Sequence, residues 1–255
     1  FGVGRIDNLF MFPLSFDEFL LAMGEENLHQ LKSNRDFNSP LAQPLHSKLL
    51  DYIQKFLFLG GLPEVVHFFA ENKDYLQAQR ILDRLIIAYE DDFAKYKKHA
   101  PISRLREVFL YVVFQAGKKF NISKASESSN HAQIKEALEL LEMSGLVYRI
   151  KHTAANGVPL GAEVNPKSFK VILFDHGIFQ RLLGLELSVL LTEKDFTSIN
   201  KGHLAEQFVG TEIIKNQAGF NRPQLYYWQR EKRGSNAEVD YLIQKSNDVI
   251  PIEVK

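Results

Sequence analysis

The order of its amphipathic segments is the feature that most constrains how this chain folds. Helical periodicity runs through residues 1–100, whereas strand-like alternation begins only after the turn at Gly145. In the helical part, Ser15 and Glu18 have the spacing of a capping box, and a Gly-Gly pair ends one helix shortly before Pro63 starts the next. This order predicts an α+β protein whose N-terminal layer is helical.

Residues 101–175 follow a second pattern. Helical periodicity over residues 104–115 and 131–143 is followed by two strand patterns around an Asn-Gly turn. Helix, turn, helix and hairpin is the order of a winged helix-turn-helix. The second helix, HAQIKEALELLEM, carries three Glu and one Lys, which is unfavourable beside DNA phosphates. We therefore expect a packing or protein-contact module rather than a DNA reader.

Two polar residues, Asp175 and His176, open the next helical pattern. Asp175 has the position and residue type of a helix N-cap. His176 is a candidate general base, but local spacing places no second His, carboxylate or Ser beside it. The sequence therefore predicts structural roles for both residues.

The C-terminal part has one helix pattern followed by three short strand patterns. In the last of these, VIPIEVK, alternation places Glu253 and Lys255 on one face of the strand. Ile250, Ile252 and Val254 lie on the other face, where we expect them to be buried. Alone, such a charge pair is usual on a solvated strand face. Together with acidic residues on neighbouring elements, it is a candidate site.

The candidate catalytic residues are Glu206 on the helix, Asp240 in the middle strand, and Glu253 and Lys255 in the last strand. Neighbouring strands lie about 4.8 Å apart, so the carboxylates of Asp240 and Glu253 can reach one Mg²⁺ or Mn²⁺ ion. The carbonyl oxygen of Val254 is a third candidate ligand. Such an ion polarises a phosphoryl oxygen and acidifies its bound water. Lys255 would then orient that water, and Glu206 would add an outer ligand through a water molecule.

This pattern also resembles known families. Asp240 followed by EVK on the next strand, with a Glu on the helix before them, resembles the D…(D/E)xK signature of the restriction-endonuclease-like phosphodiesterases. Over the whole chain, the segments FGVGRIDNLFMFPLSFDEFL, GGLPEVV, AYEDDFAKY, LYYWQREKRGSNAEVDYLI and VIPIEVK resemble a family of prokaryotic AAA-like P-loop ATPases. Members of that family carry a C-terminal domain of unknown function that ends in this nuclease-like fold.

The resemblance implies three domains. Residues 1–100 would be a helical, lid-like segment after a missing ATPase core, and residues 101–175 a winged helix-like domain. Residues 176–255 would be a restriction-endonuclease-like α/β domain, truncated at its C-terminus. The chain starts at Phe1 and stops within a predicted strand, so we expect it to be part of a longer protein.

The expected function has two alternatives. In the first, the nuclease-like domain is a phosphodiesterase that uses Mg²⁺ or Mn²⁺ to act on nucleic acid. In the second, it is a catalytically inactive interaction or regulatory module coupled to the ATPase. The chain has no G-x-x-x-x-G-K-[ST] sequence, so ATP would bind only to the missing N-terminal domain of the parent protein.

Composition narrows the range of partners and compartments. The 31 basic and 31 acidic residues cancel, so nucleic acid would bind only through a local patch, and a protein partner is the other expectation. The absence of cysteine excludes disulfides and zinc-thiolate sites and fits a reducing compartment. No apolar stretch reaches about 18 residues, so we expect a cytoplasmic protein without a membrane partner. The oligomeric state is left open.

Overall fold

The computed structural model describes residues 4–34, 40–96, 98–126, 130–185, 202–230 and 237–254. The chain forms two compact units. The sheet unit comprises Phe1–Phe12, Glu90–Phe174 and Lys201–Lys255, and the helical unit comprises Pro13–Tyr89 and Asp175–Asn200.

The described residues form nine α-helices and five strands, which establishes a mixed α+β fold. The helices are α1 Phe16–Ala22, α2 Glu26–Ser33, α3 Gln43–Leu59, α4 Pro63–Asn72, α5 Tyr75–Asp92, α6 Ile102–Gln115, α7 His131–Met143, α8 His176–Leu182 and α9 His203–Lys215. The strands are β1 Val147–Thr153, β2 Val164–Leu173, β3 Leu225–Gln229, β4 Glu238–Lys245 and β5 Asp248–Ile252. In the described part of the chain, no helix is long and apolar enough to cross a membrane.

Local signals set the ends of the helices in the helical unit. The capping box is present at α1, where Glu18 N donates to Ser15 Oγ and Ser15 N donates to the Glu18 carboxylate. Helix α3 stops before Gly60, whose φ of +77° is left-handed, and α4 starts at Pro63. These predicted boundaries are confirmed.

Helix α8 packs closely on the C-terminal end of α3. The buried Asp175 caps α8 by accepting from Ile178 N at 3.0 Å, and it also accepts from Gly61 N at 2.8 Å. His176 is fully buried, and its Nε2 lies 2.8 Å from the Phe56 carbonyl oxygen in the last turn of α3. The predicted cap is confirmed, and the contact of His176 fits its predicted structural role.

A five-stranded sheet organises the sheet unit. Its order is β2-β1-β3-β4-β5, with β1 and β3 parallel and all other neighbours antiparallel. Its hydrophobic core cluster combines strand residues with Ile214 of α9: Ile150, Ile172, Ile214, Leu225, Tyr227 and Tyr241. Gln207 of α9 holds the end of β2, because its amide donates to the Leu173 carbonyl and accepts from the Leu173 N–H. Helix α9 therefore lies against the sheet at a fixed position.

The sheet joins two segments that the sequence assigned to different domains. Strands β1 and β2 come from residues 101–175, and β3, β4 and β5 come from residues 176–255. The chain passes from the sheet unit to the helical unit between Phe174 and Asp175. The order α6, α7, β1, β2 is the one predicted, but the three-domain division itself stays a prediction.

Candidate functional site

A buried lysine lies at the centre of the acidic residues in the sheet unit. Lys170 of β2 is only 2% exposed. Its Nζ lies 3.3 Å from Glu206 Oε2 on α9 and 3.7 Å from Asp240 Oδ1 on β4, and it forms a close ion pair with Glu238 of β4. The ammonium also lies 5.4 Å from the centre of the Tyr227 ring. We call Lys170, Glu206, Glu238 and Asp240 the lysine-centred cluster.

A β-bulge explains why Asp240 reaches this cluster. Tyr226 pairs with Leu242 and Trp228 with Val239, so β4 has one more residue than β3 between these two pairs. Asp240 and Tyr241 therefore both lie opposite a single residue of β3 and project to the same side. Tyr241 accordingly donates its hydroxyl to the Glu206 carbonyl oxygen at 2.7 Å, while the Asp240 carboxylate lies beside Lys170.

The last strand contributes a backbone group to the cluster. Val254 N donates to Asp240 Oδ2 at 2.9 Å. The carbonyl oxygen of Val254 was the predicted metal ligand, and that role stays a prediction. Both oxygens of Asp240 thus face a positively polarised group, since Oδ1 lies towards Lys170 and Oδ2 accepts from the backbone.

The structure does not bring Glu253 to this cluster. Glu253 is exposed and makes no hydrogen bond or ion pair with another described residue. Its neighbours Ile252 and Val254 both pack against the core cluster that contains Tyr241, so Glu253 projects to the other face. The expectation that the carboxylates of Asp240 and Glu253 face each other is therefore wrong. The bulge turns the Asp240 side chain to the face of the sheet against which α9 lies, whereas regular alternation along β5 leaves the Glu253 side chain on the opposite face.

Two further expectations concern the last strand. Ile250 was expected to be buried but is 38% exposed, because β5 is an edge strand of the described sheet. Ile252 and Val254 are partly buried against the core cluster. Lys255, a predicted catalytic residue, lies outside the described residues.

Burial and neighbouring charges perturb the pKa values of Glu206 and Lys170. Burial raises the pKa of Glu206 to about 7; Lys170 opposes this rise, while Asp240 and Glu238 add to it. Burial lowers the pKa of Lys170, but the carboxylates of Glu206, Glu238 and Asp240 outweigh that effect and raise it above its usual value. Lys170 is therefore charged at neutral pH, and the Glu206 carboxyl titrates near neutral pH.

A histidine borders the cluster without joining it. His203, the first residue of α9, has its pKa lowered by burial and by the charges of Lys118 and Lys170. Gly117 lies so close that a Cβ there would be 2.7 Å from His203 Nδ1 and 2.8 Å from Glu206 Oε1. The loop after α6 thus closes one side of the cluster with a backbone conformation that residues other than glycine rarely adopt, at a φ of +73°.

The arrangement is an acidic cluster whose centre is occupied by the ammonium of Lys170. Among the residues that the structure describes, no group of three or more His, Asp or Glu side chains is spaced to hold a metal ion. Two of the predicted residues, Glu206 and Asp240, do converge, but on the ammonium of Lys170.

The sequence interpretation missed Lys170 and Glu238. Lys170 stands alone in the apolar run SFKVILF, and a charged residue within a buried strand is a signal that it has a partner. Glu238 is two positions from Asp240, so the two share a face of β4. Neither signal identifies which residues pair with Lys170, because only the tertiary fold brings Lys170 to the cluster.

Comparison with known proteins finds two domain families. A protein-family model described as domain of unknown function DUF4143 matches residues 201–255, the segment that contains α9 and strands β3 to β5. No curated protein and no solved structure gives a significant match. A second family model, described as domain of unknown function DUF8612, matches residues 50–188, which is more than half of the 255 residues. The chain therefore belongs to the DUF8612 family.

Proposed function

We propose that this chain is an interaction module from the C-terminal part of an AAA-like ATP-binding protein, and that its nuclease-like segment is catalytically inactive. The match to DUF4143 over residues 201–255 fits the sequence resemblance to ATPases that end in a domain of unknown function. The order α6, α7, β1, β2 supports a winged helix-like part, as does the bridge between Lys119 and Lys170, which adds a third short segment to the hairpin.

The observation that carries the proposal is the position of Lys170. Its ammonium lies within ion-pair distance of Glu206, Glu238 and Asp240 and supplies the positive charge that a metal ion supplies in a hydrolytic site. Asp240 also accepts from Val254 N. Because these oxygens are already committed, a metal ion would have to break existing interactions before it could bind.

The surface of the winged helix-like part favours contact with protein. Exposed apolar residues close together on a helix mark interaction sites, and Leu110 and Phe114 of α6 are 37% and 60% exposed at i, i+4 spacing. Helix α7 exposes Glu136 and Glu139, which would repel a phosphate backbone. Both features support a protein partner over DNA.

A divalent-metal phosphodiesterase acting on nucleic acid is the second candidate. One observation favours it: Glu206 and Asp240, which are far apart in the sequence, converge on one cation. In this candidate Asp240 would be the principal ligand of Mg²⁺ or Mn²⁺, and Glu206 would act through water. The bound ion would polarise the phosphoryl group and acidify the attacking water.

One set of measurements separates the two candidates. Calorimetric titration with Mn²⁺ and cleavage of labelled single- and double-stranded DNA and RNA are followed for the full chain, for Asp240→Ala and for Lys255→Ala. An inactive module gives neither binding heat nor cleavage. A phosphodiesterase gives Mn²⁺-dependent cleavage that both substitutions abolish and that Lys167→Ala, an exposed lysine of β2, leaves unchanged. Cleavage of this kind would refute the proposal.

A further inference from the structure

Lys170 occupies a place where an apolar residue would be expected. Its neighbours on β2, Phe169 and Val171, are buried, and Lys170 itself is 2% exposed. Burying an ammonium is unfavourable unless it is paired and hydrogen-bonded. Here its partners come from two other elements, α9 and β4. The lysine and the carboxylates therefore depend on one another.

The charges in the cluster do not balance. Three carboxylates face one ammonium, so the ionised cluster carries two excess negative charges, which is the charge that a divalent cation would neutralise. The Nζ atom lies 3.3 Å from Glu206 and 3.7 Å from Asp240. Since a Mg²⁺ ion binds oxygen at about 2.1 Å, these two oxygens would need to move inwards by only about 1.2 and 1.6 Å to hold an ion in place of the ammonium.

The ammonium of Lys170 competes well with a metal ion for this space because it is covalently attached to β2. The backbone of Lys170 pairs with Ile150 of β1 and bridges to Lys119 on the other side, so the strand cannot move away without breaking the sheet. A metal ion that displaced the ammonium would leave a buried charge without partners, which is strongly unfavourable. The native fold should therefore exclude the metal even when the ion is abundant.

We propose that Lys170 is an autoinhibitory contact: its ammonium fills the space between Glu206, Glu238 and Asp240 and excludes a divalent cation, which binds there once the ammonium is removed. This inference rests on the proposed function, because it gives the physical reason for the inactivity of the nuclease-like segment. It concerns cation binding alone and does not require that the opened site cleaves nucleic acid.

The test compares two substitutions at one position. Lys170→Met keeps the length and apolar stem of the side chain but removes the charge, and Lys170→Arg keeps the charge. In calorimetric titrations with MnCl₂ at neutral pH, Lys170→Met should bind one equivalent at least tenfold more tightly than the wild-type protein, and Lys170→Arg should bind no better than wild type. Lys167→Met, on the exposed part of the same strand, is the matched control and should also resemble wild type.

Three outcomes overturn the inference. The first is a folded Lys170→Met variant that binds Mn²⁺ no more tightly than wild type, and the second is binding by Lys170→Met that survives the added substitution Asp240→Ala. If Lys170→Met is unfolded alone, Mn²⁺ should restore a cooperative thermal transition, because a ligand that binds only the folded state stabilises it. The third outcome that overturns the inference is an unfolded Lys170→Met variant whose folding Mn²⁺ does not restore. Cleavage by the wild-type protein would refute the proposed function, whereas these outcomes concern only the role of Lys170.

Discussion

Glu206 makes the stability of the sheet unit depend on pH in a direction opposite to that of an ordinary salt-bridged carboxylate. Its usual pKa is 4.5, and burial raises the pKa to about 7 in the folded protein. Below about pH 4.5 the group is protonated in both folded and unfolded states. Between about pH 4.5 and 7 the unfolded chain releases this proton while the folded protein retains it, so stability is lost as the pH rises and the loss levels off above the folded pKa.

The size of this loss follows from the two pKa values. The folded and unfolded pKa values of Glu206 differ by about 2.5. Because a difference of one pKa unit corresponds to about 1.36 kcal/mol, this difference gives about 3 kcal/mol in the free energy of unfolding. Integrating the linkage relation over the practical range of about pH 5 to 8 leaves about 2.5 kcal/mol of this total. The Glu206 side chain is only 13% exposed, so solvent screening removes little of the effect.

Glu206→Gln removes the titrating group while keeping the shape of the side chain. Urea unfolding of the wild-type and variant proteins is followed by the fluorescence of Trp228, the single tryptophan, which lies on β3. The ion pair with Lys170 forms only while Glu206 is ionised, and its effect is already contained in the pKa of Glu206, so it needs no separate correction. We expect the stability of wild type relative to the variant to fall by about 2.5 kcal/mol between about pH 5 and 8.

The control is Glu136→Gln, at an exposed position of α7. Its stability difference from wild type should not vary with pH by more than about 0.5 kcal/mol. If the difference between wild type and Glu206→Gln is equally flat, or if wild type gains stability as the pH rises, then Glu206 does not titrate near neutrality in the folded protein, and the electrostatic description of the lysine-centred cluster is wrong.

Three substitutions test the packing around these groups by urea unfolding. Gly117→Ala places a Cβ 2.8 Å from Glu206 Oε1 at a φ of +73°, and should cost about 1–3 kcal/mol; unchanged stability would mean that the loop after α6 is not held against α9. Gln207→Ala leaves the backbone N–H and carbonyl of Leu173 without their amide partner, and should cost about 2–4 kcal/mol, whereas a loss below about 1 kcal/mol would argue against this anchor. Asp175→Ala removes the cap of α8 and should lower the free energy of unfolding of the helical unit by about 2–4 kcal/mol; an unchanged free energy of unfolding would show that the cap is dispensable.

Local sequence signals were sufficient to place the secondary structure. The helix pattern at residues 131–143 coincides with α7, and the capping box marks the start of α1, because both depend on neighbours within one turn. Predicted and observed strands differ by a few residues at their ends. The coarse α+β class followed from the order of these elements.

The site could be predicted only in part, because its geometry depends on the tertiary fold. Strict alternation predicted that Asp240 and Glu253 face each other, but the single extra residue of the β-bulge turns Asp240 to the other side. No pattern in the sequence indicates where the extra residue of the bulge lies. Lys170 was missed for a related reason: β2 reaches α9 and β4 through the pairing of β1 with β3, which joins distant parts of the chain.

The parallel pairing of β1 with β3 has a consequence for the synthesis of the protein. His152 of β1 and Gln229 of β3 are joined by a hydrogen bond although they are 77 residues apart. At a translation rate of about 5–20 residues per second, β3 is synthesised about 4–15 s after β1, and the edge of β1 that pairs with β3 stays unpaired until then. During that interval the hairpin of β1 and β2 presents an open edge and an uncovered apolar face, which is the usual template for aggregation. A nascent chain of this kind should therefore depend on a ribosome-associated chaperone until β3 emerges.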